Sequence, residues 1–276
     1  MKTYGPFTVH AEKRPYDHHR PHGCTVLAIR LADWPGNEFG LWLPETLVLE
    51  KDIAWCNWTG DTDQDWEERD DAFAWRKRLA FFEIVSTLTP DPAARCLRYV
   101  HRFTNTSDHP LAALSSQTCF HLVNAPQFIS IGGERIWVCL DGEWNTSDRV
   151  PRSESPDPRR VSFAREGRRR ERTVVRNTDF PSALMPEQAS HPLVIAENFD
   201  GTGSVGIACR NFATLSNNND SILRCIHSEP FPIEELAPGE SAEQEGVLLF
   251  HRGGHDSLRR QFEDLVDRSW LLPGRA

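Results

Sequence analysis

Apolar residues along this chain recur in short runs separated by turn residues, and seldom at helical spacing. Such runs occupy 25–31, 47–49, 81–88, 97–104, 118–123, 135–140, 193–197, 205–209, 222–226 and 246–251. Runs of this length, rich in β-branched and aromatic residues and bounded by Gly, Pro, Asn and Asp, predict strands. Alternation is clearest where Leu97, Tyr99, His101 and Phe103 share one strand face. The stretch from Asn105 to Pro110 carries turn chemistry and predicts a tight connection. Many strands with no regular helix between them predict a mainly β fold, a large antiparallel β-sandwich with few short helices.

Helical spacing is found near the C-terminus, where Leu258, Phe262, Leu265 and Val266 predict a helix within 256–270 that packs on a sheet. Over 65–79 the charges are dense and the apolar spacing irregular, and both helix and exposed loop fit. From about 145 to 177 Pro, Ser and Arg dominate, which predicts a long excursion from the sandwich. Its Arg168, Arg169, Arg170 and Arg172 either close over an anionic sugar or are solvated.

With 276 residues, 39% of them hydrophobic, the chain can bury a sizeable core, and one domain over 1–276 is expected. A formal charge of −9 gives no basic footprint for nucleic acid or an anionic membrane, so a neutral ligand fits better. No stretch reaches the length of an apolar membrane span, and Met1 to Pro6 leads into a polar, His-rich segment unlike a signal peptide. A cytoplasmic protein is expected. The seven cysteines are dispersed without a C-x-x-C pair and fit buried reduced thiols. No G-x-S-x-G elbow, P-loop, dinucleotide fingerprint or H-E-x-x-H motif occurs.

The stretch Thr104-Asn105-Thr106-Ser107-Asp108-His109-Pro110-Leu111 resembles the "TNxSDxPL" strand end of the galactose mutarotase-like superfamily. The following Cys119-Phe120-His121-Leu122-Val123-Asn124 is similar to that superfamily's "HxYFNL" strand. Near the C-terminus, Cys225-Ile226-His227-Ser228-Glu229-Pro230 and Leu236-Ala237-Pro238-Gly239-Glu240 resemble its "LExQxxP" strand and "LxPGE" turn. The resemblance implies a mutarotase-like supersandwich whose concave face holds a sugar. In its epimerases a Glu is general base on the anomeric hydroxyl and a His general acid on the ring oxygen.

Two registers fit each motif. Counting back from Asn124 puts Phe120 at the position of the acid histidine, with His121 one residue later. At the second motif either His227 or Glu229 falls at the position of the glutamate. One residue of slip turns a strand's side chains to the other face, and a bulge can restore them. His121, His227 and Glu229 are therefore the candidate catalytic residues.

Candidate sugar contacts are Arg135 and Trp137, same-face neighbours on one strand, with Trp144 in the turn beyond, and His101 and Trp66. An aromatic beside an arginine suits a sugar, though core tryptophans explain the same letters. Six of the nine tryptophans lie between Trp34 and Trp75 among many acidic residues; there Trp58, Asp65 and Trp66 are secondary candidates.

His18, His19 and His22 in the N-terminal cluster suit a divalent metal or are loop histidines; no cofactor is otherwise expected. Three functions follow. The first is a carbohydrate-active enzyme, either an epimerase-type isomerase or a lyase. The second is a non-catalytic sugar-binding or assembly protein, and the third a metal-dependent sugar enzyme using the N-terminal histidines. For elimination, Arg135 is the candidate cation that stabilises an enolate.

Overall fold

The computed structural model describes residues 1–14, 24–50, 52–57, 64–130, 132–148, 160–167, 182–218 and 224–271. They form two large sheets, antiparallel throughout except where Arg160–Ala164 runs parallel to Ser182–Leu184. In the eleven-stranded sheet the central strands lie in the order Cys24–Leu31, Glu38–Leu49, Leu111–His121, Cys225–Pro230, Phe212–Asn218, Arg160–Ala164. The nine-stranded sheet is centred on Gly203–Cys209, Ser241–Arg252, Cys96–Asn105 and Phe82–Asp91.

The core between the sheets follows from strand alternation. Phe39, Leu41, Phe120 and Ile226 point inward from one sheet and meet Leu97, Tyr99, Leu248 and Phe250 from the other. Phe39, Phe120 and Phe250 form a ring cluster with centroids 5.6 to 5.8 Å apart. The two turn motifs touch at one end of the sandwich. The Asn105 amide donates to the Glu240 carbonyl at 2.9 Å, and the Asn105 side chain donates to the carbonyls of His109 and Leu236, both at 2.8 Å. Gly239, at φ +79°, sits in the left-handed region this turn requires and donates back to the Asn105 carbonyl.

The helix His255–Leu265 is shorter than the 256–270 pattern, because the chain turns extended at Val266 and re-forms one 3-10 turn at Arg268–Trp270. Leu258 and Phe262 seat the helix on Leu193, Ile195, Ala208, Val247 and Leu249, covering the outer face of the nine-stranded sheet. The 65–79 segment is neither helix nor loop alone: Phe73–Arg78 is a strand with Phe73 and Trp75 buried. Within the expected excursion, Arg160–Ala164 pairs with Phe212–Asn218 and belongs to the eleven-stranded sheet. Arg168, Arg169, Arg170 and Arg172 lie outside the described residues, as do Trp58, His18, His19 and His22. Among the described residues, all seven cysteines are buried and none forms a disulfide, and no helix is long and apolar enough to cross a membrane.

His101 is a core residue, not a sugar contact. Its ring lies between the sheets, with Nδ1 2.8 Å from the Ser86 hydroxyl and Nε2 3.1 Å from that of Thr118. Burial pushes its pKa down to about 3, so it stays neutral where an unfolded histidine, near 6.5, takes up a proton. The unfolded chain thus binds more protons between those values, and stability falls as pH is lowered through that window. His101→Gln should make the acid limb of a stability profile shallower by at most about one proton, measured by denaturant unfolding at several pH values.

Candidate functional site

The outer face of the eleven-stranded sheet carries a grid of polar side chains set by strand register. On Leu111–His121, Gln117, Cys119 and His121 project to this face while Phe120 enters the core. On Cys225–Pro230 the same face is presented by Cys225, His227 and Glu229, with Ile226 inward. Phe120 pairs with Ile226 and His121 with Cys225, which sets Cys119 beside His227. Farther across, Ser216 pairs with His227 and Thr214 with Glu229. Arg160 pairs with Asn218.

The other flank is shaped by a bulge. Gln117 pairs with Thr46, yet Cys119 pairs with Trp42, so extra residues of Glu38–Leu49 are accommodated around Leu43, Pro44 and Glu45. Proline has no amide proton for the ladder and is at home in such a break. The bulge brings the Glu45 carboxylate over the grid, where it accepts from Gln117 Nε2 at 2.6 Å and lies 3.7 Å from His227 Nε2. Opposite His121 stands Gly40, where a Cβ would come within 3.2 Å of the histidine Cβ. The Trp42 ring meets the His121 ring edge-on at 4.0 Å.

The resulting contacts are continuous. His227 Nε2 is 3.1 Å from Cys119 Sγ, and Cys119 Sγ is 3.4 Å from His121 Nε2. The Ser216 hydroxyl is 3.2 Å from His227 Nδ1 and accepts from Arg160 Nε at 3.1 Å. Arg160 Nη2 closes an ion pair with Glu229, the side chains being 13% and 14% exposed. Glu229 lines a small cleft together with Ser115, Gln117, Thr214 and Pro230.

Charge on this face is concentrated in the carboxylates and Arg160. Burial drives the His227 imidazole well below its ordinary pKa, and the charge of Arg160 adds to that, so the ring is neutral at physiological pH. Burial likewise pushes the Cys119 thiol well up. Burial opposes the charge of Arg160, but Glu229 and Glu45 outweigh it and its pKa is raised.

Of the residues expected from sequence, this face brings together His121, His227 and Glu229. It does not gather the others. Arg135 precedes a strand of the nine-stranded sheet and binds the Ile129 carbonyl, with Glu134 3.6 Å away. Trp137 stacks on His255 with centroids 3.6 Å apart and donates to Glu197 at 2.8 Å. Trp144 packs edge-on to His191, beside the helix. Both tryptophans sit under the helix on the opposite outer face, because alternation on Ile136–Leu140 turns Trp137 away from the core. Trp66 packs against Trp75 and donates to Gln64, a wall between the clusters. Arg135, Trp137, Trp144 and Trp66 therefore fall away from the catalytic candidates.

Sequence reading missed Trp42, Glu45, Gln117, Arg160, Ser216 and Asn218, which reach the face from four strands. One local signal was available: Cys119-Phe120-His121 and Cys225-Ile226-His227 are both Cys-x-His. That spacing puts thiol and imidazole on one strand face.

No protein-family model and no curated protein matches the chain. Similar solved structures include a protein from Synechocystis, 11% identical, TM-score 0.49, covering 91% of this chain and 99% of that one. A galactose mutarotase related enzyme from Lactobacillus acidophilus is 10% identical, TM-score 0.46, with 90% and 99% covered. A galactose mutarotase-like protein from Lactobacillus casei is 10% identical, TM-score 0.47, with 88% and 100% covered.

Proposed function

We propose that the chain is a carbohydrate-active enzyme that binds a sugar at the outer face of the eleven-stranded sheet and works by proton transfer. The observation that carries this reading is Glu229, a carboxylate that lines a small cleft and shares its strand face with His227. Glu229 is the base, taking a proton from the anomeric hydroxyl. The neutral His227 imidazole is the partner that hydrogen-bonds the ring oxygen, and His121 holds a hydroxyl farther along the face. Gln117 and Thr214 give the cleft directional donors and acceptors of the kind sugars require. The sequence motifs that resemble those of galactose mutarotases support the reading that these strands face the sugar.

Elimination is the second reading, favoured by one observation: Arg160 stands beside Glu229, the position a cation needs to stabilise an enolate. Arg160 takes over the role expected of Arg135.

The test is a panel of aldoses and uronate oligosaccharides, with anomer exchange followed by NMR and unsaturated products by ultraviolet absorbance. Glu229→Gln keeps a hydrogen-bond partner for Arg160 and should lower turnover by about 10²- to 10⁴-fold, the usual contribution of general acid–base catalysis. His121→Ala should raise KM more than it lowers kcat. Binding without turnover of any sugar would leave a non-catalytic sugar-binding protein. A folded Glu229→Gln variant with unchanged rate would remove Glu229 from the chemistry.

A further inference from the structure

The two Cys-x-His tripeptides lie on adjacent antiparallel strands with His121 opposite Cys225. Their donors therefore interdigitate. Cys119 Sγ, Cys225 Sγ and His227 Nε2 all lie within 4.8 Å of one another, and all three residues are buried. Bonds of about 2.3 Å to sulfur and about 2.0 Å to nitrogen set the donors of a tetrahedral ion about 3.5 to 3.8 Å apart, and His227 Nε2 already lies 3.1 Å from Cys119 Sγ. His121 Nε2 lies 3.4 Å from Cys119 Sγ, a second imidazole beside this group.

The surroundings are those of a metal site as well. Asn218 Nδ2 donates to Cys225 Sγ at 3.0 Å, a contact that stabilises a thiolate. The Ser216 hydroxyl engages His227 Nδ1 at 3.2 Å and so orients Nε2 toward the thiols. Such outer partners fix the tautomer and ring angle of a metal-bound histidine. Cys119 and Cys225 also pack with Cys24, Val26 and Trp42 in a small buried cluster, and the two imidazoles bring polar nitrogens to its edge that call for partners.

We propose that Cys119, Cys225 and His227, with His121 as fourth donor, bind a thiophilic divalent cation of the zinc type. Two thiolates and imidazole nitrogen select zinc over magnesium or calcium. Binding releases the two thiol protons to solvent. The site goes beyond the sugar reading and stands without it. With an ion on Nε2, His227 no longer hydrogen-bonds the ring oxygen, and four protein donors leave the ion no open position, so the site is structural and proton transfer rests on Glu229.

The test uses the full chain purified under reducing conditions, with metal analysis followed by cobalt(II) titration of the apoprotein. One zinc per chain and a thiolate-to-cobalt charge-transfer band are expected. Cys119→Ser, Cys225→Ser and His227→Gln should abolish the band, and Asn218→Ala should weaken binding about 10- to 100-fold. Circular dichroism separates loss of ligand from loss of fold, and Asn218→Ala keeps every ligand in place should a ligand variant misfold. A variant lacking His18, His19 and His22 should keep the band. A reduced wild-type chain with neither zinc nor band overturns the proposal, as does a band that survives in the Cys119→Ser/Cys225→Ser double variant. Because the cobalt band is read without substrate, failure here is distinct from failure of the sugar reading.

Discussion

Phe120→Ala is expected to destabilise the protein by about 3–5 kcal/mol, the range for emptying a fully buried phenylalanine site. Phe120 has no exposed surface and stacks on Phe39 at 5.6 Å, while Phe250 from the opposing sheet meets it at 5.8 Å. Removing the ring opens a cavity where the two sheets join. Neither Phe39 nor Phe250 can collapse into it without leaving the other. A loss of this size is a large part of the roughly 5–15 kcal/mol that holds a typical domain folded. Denaturant unfolding should show a lower midpoint at unchanged slope. Phe120→Leu, which retains much of the volume, should cost clearly less. An Ala variant within 1 kcal/mol of wild type would mean that Phe120 faces outward and that the neighbouring histidine is the core residue.

That experiment probes the point at which sequence reading stopped. The fold was legible because alternation in 97–103 and the turn letters around Asn105 and Gly239 are local signals, and their strands and turns form as those letters predict. The choice between Phe120 and His121 was not local. It is decided by pairing, since Phe120 and Ile226 are cross-strand partners and both belong inside. Once that register is fixed, His121, His227 and Glu229 all project from the same sheet face. Arg135 and Trp137 lie apart from those three for a related reason. They satisfy the pattern of a sugar platform, but a pattern does not say which of two outer faces a strand presents, and that of Trp137 is covered by the helix His255–Leu265. Glu45 was hidden by the bulge at Pro44. Arg160 was hidden by 69 residues of separation from Glu229 and by a composition that resembles a solvated loop.

Arg160→Met tests whether that distant arginine anchors the face. Arg160 joins the strand Arg160–Ala164 to Cys225–Pro230 across Phe212–Asn218, through Glu229 and the Ser216 hydroxyl. Its removal leaves the Glu229 carboxylate 14% exposed without its counter-charge and takes a donor from Ser216. Breaking a largely buried pair from one side costs up to about 3–5 kcal/mol, because the remaining charge is unpaired and poorly solvated. An exposed pair would lose about 1 kcal/mol at most. The double variant Arg160→Met/Glu229→Leu removes both charges and should recover most of the loss, although it carries more substitutions. A double-mutant cycle isolates the coupling between them. If the single and double variants are equally unstable, the loss comes from packing around the arginine stem and the pair is not what ties these strands. If the double variant recovers stability but no longer turns over sugar, the charges are held in place for the chemistry at the cleft and not for the fold.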